Sequence, residues 1–119
     1  MANYYLVGAN WAGERQDETF YRRGYWEMGW EDGDQPNFAK IRDGIKAGDR
    51  IAIKSGDGRG ANTISILALG IVKEVFHGRV YVDWVLTGMT RRVESRGCYA
   101  TIHGPFAEDD EWVHRVFCI

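Results

Sequence analysis

Cysteine and proline are both scarce, two of each in 119 residues. Two thiols, Cys98 and Cys118, cannot build a disulfide framework, so they read as small buried hydrophobes of a reducing compartment. No run approaches the ~18 to 20 consecutive apolar residues of a membrane helix. The opening Met1-Ala2-Asn3-Tyr4-Tyr5 lacks the basic start and apolar stretch of a signal peptide. A cytoplasmic protein with no membrane contact is therefore expected. Charge of either sign is also not in excess, since 15 Lys plus Arg stand against 17 Asp plus Glu for a formal net charge of -2. That balance excludes a disordered polyelectrolyte and a globally basic nucleic-acid protein. Any affinity for a phosphate backbone has to come from a local basic patch on a near-neutral body.

Glycine and aromatic rings, by contrast, are abundant: 15 Gly, five Trp, six Tyr and five Phe. With 45% hydrophobic residues the chain can bury one core, so residues 1–119 are expected to form a single domain. Many strands joined by glycine turns give such a composition.

The first segment, Tyr4-Tyr5-Leu6-Val7-Gly8-Ala9-Asn10-Trp11, is β-prone and reads as a strand running into a loop near Asn10. Between residues 11 and 35, charges, glycines and six aromatics alternate without a period of 2 or 3.6. This predicts a long irregular segment with at most a short helix near residues 17–23. Phe38, Ile41 and Ile45 at i, i+3 and i+7 predict a short amphipathic helix over residues 38–47, with Asn37 as N-cap and Gly48 just past its end. Residues 51–55 alternate as a strand, and Gly56-Asp57-Gly58-Arg59-Gly60 follows as a mobile loop. Residues 64–72 are almost continuously apolar, the pattern of a central strand covered on both faces. His77-Gly78 marks a two-residue hairpin turn into a strand over residues 79–85. Further strands are expected at residues 98–102 and 112–119. The order predicts an α+β domain whose sheet curls into an open barrel with one or two short helices.

Several motifs carry little chemistry. The glycine run lacks the Gly-Lys-Ser/Thr ending of a phosphate loop, and Glu31-Asp32-Gly33-Asp34 lacks the downstream Glu of a calcium loop. Cys98, His103, His114 and Cys118 have a spacing that invites zinc. In a strand, however, His114 and Cys118 would lie about 13 Å apart, too far for one metal. No nucleophile elbow is present, and Asp109-Asp110-Glu111 reads as a solvated loop. No cofactor, metal or catalytic residue is expected.

The aromatics are the remaining signal. Trp84 and Trp112 fall on strand faces and read as core. Trp11, Tyr21, Tyr25, Trp26 and Trp30 lie in the irregular segment, interleaved with Arg15, Arg22 and Arg23. Flat rings with nearby cations can sandwich an unstacked base while holding its phosphates. They can equally form a small core that packs the segment onto the sheet.

The stretch Phe20-Tyr21-Arg22-Arg23-Gly24-Tyr25-Trp26-Glu27-Met28-Gly29-Trp30-Glu31-Asp32 belongs with three others: Ile45-Lys46-Ala47-Gly48-Asp49-Arg50-Ile51-Ala52-Ile53-Lys54-Ser55, Ile66-Leu67-Ala68-Leu69-Gly70-Ile71-Val72 and Val82-Asp83-Trp84. Together they resemble the N-terminal domain of some McrB-like restriction ATPases, which is similar to the EVE and YTH modules of the PUA superfamily. The resemblance implies a PUA-like open barrel and recognition of a modified base, in DNA or RNA, inside an aromatic cage. It puts Trp26 at a cage position and Asn10-Trp11 at the pocket's polar edge. The expected nucleobase-binding residues are Asn10, Trp11, Trp26, Trp30 and Ser55, and the expected phosphate contacts are Lys54, Arg91, Arg92 and Arg96. With no motor or nuclease in these residues, the resemblance implies a defence- or virus-associated reader that acts by occupying a site or recruiting an effector in trans. Two alternatives stand beside it. One is a protein-interaction domain with a flat aromatic patch. The other is a small ASCH-like hydrolase, for which Lys54 and Thr63 are the only hints.

Overall fold

The computed structural model describes residues 2–119. The apolar run of residues 64–72 forms the middle of β6 (Thr63–Phe76), the strand around which the sheet is built. β5 (Arg50–Gly56) pairs with one edge of it, while β7 (Arg79–Leu86) and β8 (Arg91–Glu94) share the other. β1 (Tyr4–Gly8) runs parallel to β5 and antiparallel to β9 (Ile102–Phe106), and β4 (Tyr25–Trp26) extends the far edge along β7. The sheet is thus mixed, with order β4-β7-β6-β5-β1-β9, and it is not closed. β2 (Asn10–Trp11) and β3 (Glu14–Arg15) make a separate small hairpin.

The turn between β6 and β7 follows from its residues. His77 and Gly78 take φ of 50° and 77°, the paired positive values whose twist matches that of a two-residue hairpin.

Both faces of the sheet are covered. On one, Tyr5, Val7, Ile51 and Ile53 pack with Phe20, Trp26 and Ile45. On the other, Tyr4, Leu6, Ala52, Ile64 and Ile66 pack beneath Trp112, Val113, Val116 and Phe117. Strands β1 and β5 therefore bury alternate residues on opposite sides, which is why Tyr4–Val7 and Ile51–Ile53 are unbroken runs of apolar and aromatic residues. α1 (Asp17–Arg23) forms where the sequence predicts it and stops at Gly24, whose φ of 76° supplies the left-handed cap. No helix among the described residues is long and apolar enough to cross a membrane.

Three expectations are corrected. Residues 112–119 are not a strand: α3 (Glu111–Phe117) occupies them, begun by the Asp110 side chain accepting from Trp112 N at 2.9 Å. Its buried residues Trp112, Val113, Val116 and Phe117 fall at i, i+1, i+4 and i+5, a helical stripe, so the described residues hold three helices. Residues 98–102 are not a strand either, because Arg96 and Gly97 at positive φ turn the chain and β9 begins only at Ile102. The helix expected over residues 38–47 is α2 (Pro36–Asp43), which starts earlier because Pro36 suits the first turn, and which ends at Gly44. Its N-cap is Gln35, not Asn37.

Candidate functional site

Where β1 and β5 end side by side, the chain opens a cavity of about 550 Å³. A local irregularity builds it. Ile53 pairs with Ala68 but Lys54 pairs with Ile66, leaving Leu67 as an extra bulged residue. Such a bulge bends the strand and re-aims the side chains beside it, and both Lys54 and Leu67 line the cavity.

Three aromatic rings surround the opening. Trp30, half exposed, is fixed by its Nε1–H donating to Thr101 Oγ1 at 2.9 Å. Tyr99, also half exposed, donates its hydroxyl to Ala61 O at 2.8 Å. Trp11 packs edge-on against Phe20 with ring centroids 5.9 Å apart. Gly29 seats this last ring, for a Cβ built there would lie 2.6 Å from the indole. The Trp11 Nε1–H is buried without an acceptor among the described residues.

Polar groups are spread around the same wall. Asn10 and Ser55 line it, with Asn10 Oδ1 already accepting from Gly13 N at 2.8 Å across the β2–β3 turn. Asp17 lines it too, buried and held by Arg15 at 2.7 Å. Lys54 is buried as well, 7% exposed, and its Nζ donates to Ala100 O at 2.6 Å. Burial pushes its ammonium down to about 8. Next to it, burial raises the Cys98 thiol, and burial together with the Lys54 charge lowers His103. His103 Nε2 accepts from Ala100 N at 2.9 Å, which suits a neutral ring.

The structure thus brings together Asn10, Trp11, Trp30, Lys54 and Ser55 and leaves the other four candidates elsewhere. Trp26 is not a cage wall. It is wholly buried, and its Nε1–H donates to Gly8 O at 2.8 Å, so the ring supports the end of β1 from within the core. Its place in the short edge strand β4, inward on the core face, accounts for this. Arg91, Arg92 and Arg96 do not line the cavity. Arg91 donates to Arg115 O on α3, Arg92 meets Asp57 at 3.2 Å, and Arg96 pairs with Asp110 at 3.0 Å while lying over Trp112. Lys54, unlike the three arginines, is buried and lines the cavity.

Other expectations fall into place around this site. Thr63 donates to Asp57 at 2.7 Å and does not line the cavity with Lys54. Asp57 also accepts from Ser65 at 2.6 Å, which pins the glycine-rich loop back onto β6. His114 and Cys118 lie on α3 and its cap, so the strand spacing that argued against a shared metal does not apply. Among the described residues no group of three or more His, Cys, Asp or Glu is placed for a metal.

Tyr99 and Thr101 are the residues that sequence reasoning missed. Both lie in the segment expected to be a strand, where the turn signal Arg96-Gly97 was the available clue. No protein-family model, curated protein or solved structure matches this chain.

Proposed function

We propose that the protein is a non-enzymatic reader of a modified nucleobase in DNA or RNA, held in an aromatic cage. The observation that carries the reading is the convergence of Trp11, Trp30 and Tyr99 on one cavity whose wall also holds Asn10, Ser55 and Lys54. A volume of about 550 Å³ lies within the ~300 to 1,000 Å³ of small-ligand sites. Half-exposed rings at its mouth suit stacking of a base that is flipped from a duplex or already unpaired. The resemblance to EVE and YTH modules agrees with this, as does a PUA-like reading of the open sheet. An effector supplied in trans would convert recognition into an outcome.

The protein-interaction alternative draws less support. Phe76 sits at the β6–β7 turn and Leu86 at the far end of β7, about 20 Å apart along a strand rising ~3.3 Å per residue. These exposed side chains do not make one patch. A binding panel decides the matter: unmodified, methylated, hydroxymethylated and glucosylated DNA and methylated RNA, at low salt. One modification is expected to bind at least several-fold more tightly than its unmodified parent. Equal binding throughout, or none, overturns the reading.

A further inference from the structure

Lys54 is a buried ammonium with one hydrogen-bond partner among the described residues, the Ala100 carbonyl. An ammonium has three N–H donors, so donor capacity is left over on the cavity wall. No carboxylate pairs with it among the described residues, and Asp17, on the same wall, is committed to Arg15. A cation taken out of water without a counter-charge is costly, and a ligand that brings the counter-charge recovers that cost.

We propose that the cavity selects a base carrying an oxyanion, such as a ring carboxylate, and that Lys54 Nζ is the group that reads it. This rests on the nucleobase reading above. Depth decides which part of a ligand arrives there: Lys54 is 7% exposed while Trp30 and Tyr99 at the mouth are about half exposed. A base stacked on those rings presents its edge to Lys54 and leaves its phosphates outside. A neutral carbonyl would fill a donor's need but leave the charge uncompensated, whereas a carboxylate does both.

The surrounding groups do not blur the effect. Burial pushes Cys98 up and holds His103 down, so both shifts favour the neutral form. Arg96, near Cys98, is turned to Asp110, and Arg15 is paired with Asp17. With its ammonium pushed to about 8, Lys54 is the cavity group whose charge changes between pH 7 and 9.

The test uses the full chain and DNA oligonucleotides, single-stranded and duplex, that differ at one cytosine: unmodified, 5-methyl or 5-carboxyl. Affinities are read by fluorescence anisotropy at pH 7 and pH 9 for the wild type and Lys54→Met. The carboxyl form is expected to bind at least tenfold more tightly than the methyl form at pH 7. It should weaken about tenfold at pH 9, because only about one Lys54 in ten then carries its proton. Methyl and unmodified forms should change little with pH, and Lys54→Met should abolish both the preference and its pH dependence. The wild-type pH profile tests the idea even if the variant folds poorly. If the methyl form binds as well as the carboxyl form with the same pH profile, Lys54 does not read an oxyanion although the cage reading survives. If no form binds at low salt, the oxyanion proposal falls, and the wider panel of modified DNA and RNA decides the cage reading separately.

Discussion

Two tryptophans four positions apart have opposite fates. Trp26 is fully buried with its indole N–H satisfied by Gly8 O, while Trp30 stands half exposed at the cavity mouth. Trp26→Ala should cost about 3 to 5 kcal/mol of folding stability, the ordinary cost of emptying a core aromatic site. Trp30→Ala should leave the melt nearly unchanged and remove about 1 to 3 kcal/mol of binding to a stacked base. Thermal melts and oligonucleotide titrations of the two variants side by side check this, and equal losses of stability would remove Trp30 from the rim. Lys54 yields a second residue-level prediction. Its folded-state value, near 8, lies below the 10.5 of an unburied lysine, so the unfolded chain binds the proton more tightly. The resulting penalty on folding is complete below pH 8 and is relieved as pH rises from 8 towards 10.5. Lys54→Met should therefore be more stable than the wild type at pH 7 by about 3 kcal/mol, with the gap narrowing by pH 10. A gap independent of pH would mean that the ammonium is well solvated.

At the scale of elements, what could be read depended on how local the cause was. The β6–β7 hairpin was legible because His77-Gly78 dictates its own turn, and α1 because its stop is Gly24. The C-terminal helix α3 was mistaken for a strand because β-branched and aromatic residues dominate it. Its i, i+1, i+4, i+5 stripe and the Asp110 cap are local signals that outweigh that propensity once the face beneath β1 and β6 needs covering. Five of the nine expected site residues line the cavity: Asn10, Trp11, Lys54 and Ser55 follow from the ends of β1 and β5, and Trp30 joins them from the aromatic segment. Trp26 and Tyr99 were decided by tertiary placement, one drawn under the sheet edge and the other carried to the cavity by a turn at residues 96–97. The segment after β4 supplies the test at this scale. Gly29→Ala would push a methyl to 2.6 Å from the Trp11 ring, and since Gly29 needs no positive φ, the collision with that ring is the main effect. Near-ultraviolet circular dichroism should change, and base binding should fall by up to the ~1 to 3 kcal/mol of one stacking contact. Unchanged affinity would show that Trp11 does not touch the ligand.

Over the whole molecule, charge constrains how binding is won. A net charge of -2 gives no general attraction to a polyanion, so under the proposed reading cations near the cavity would provide it. Arg91 and Arg96 are engaged with α3 and its cap, and Arg92 holds the glycine-rich loop through Asp57. Arg15 lines the cavity but is held by Asp17, which leaves Arg59, exposed between Gly58 and Gly60 on the loop that begins at the cavity's Gly56, as the nearby guanidinium without an ion pair among the described residues. Few phosphate contacts imply a shallow slope of log affinity against log salt, roughly -2 to -4, with discrimination left to the base. Arg59→Gln should make that slope shallower by about 0.7 to 0.9, the share of one phosphate contact, while leaving the preference between modified and unmodified bases as it was. Arg91→Gln combined with Arg96→Gln should leave the slope as it was, because neither guanidinium faces the cavity. Salt titrations of these variants with one oligonucleotide distinguish the two groups of arginines. A slope that drops by about two in the double variant would place the nucleic-acid backbone along β8 and α3 and require a different path into the pocket.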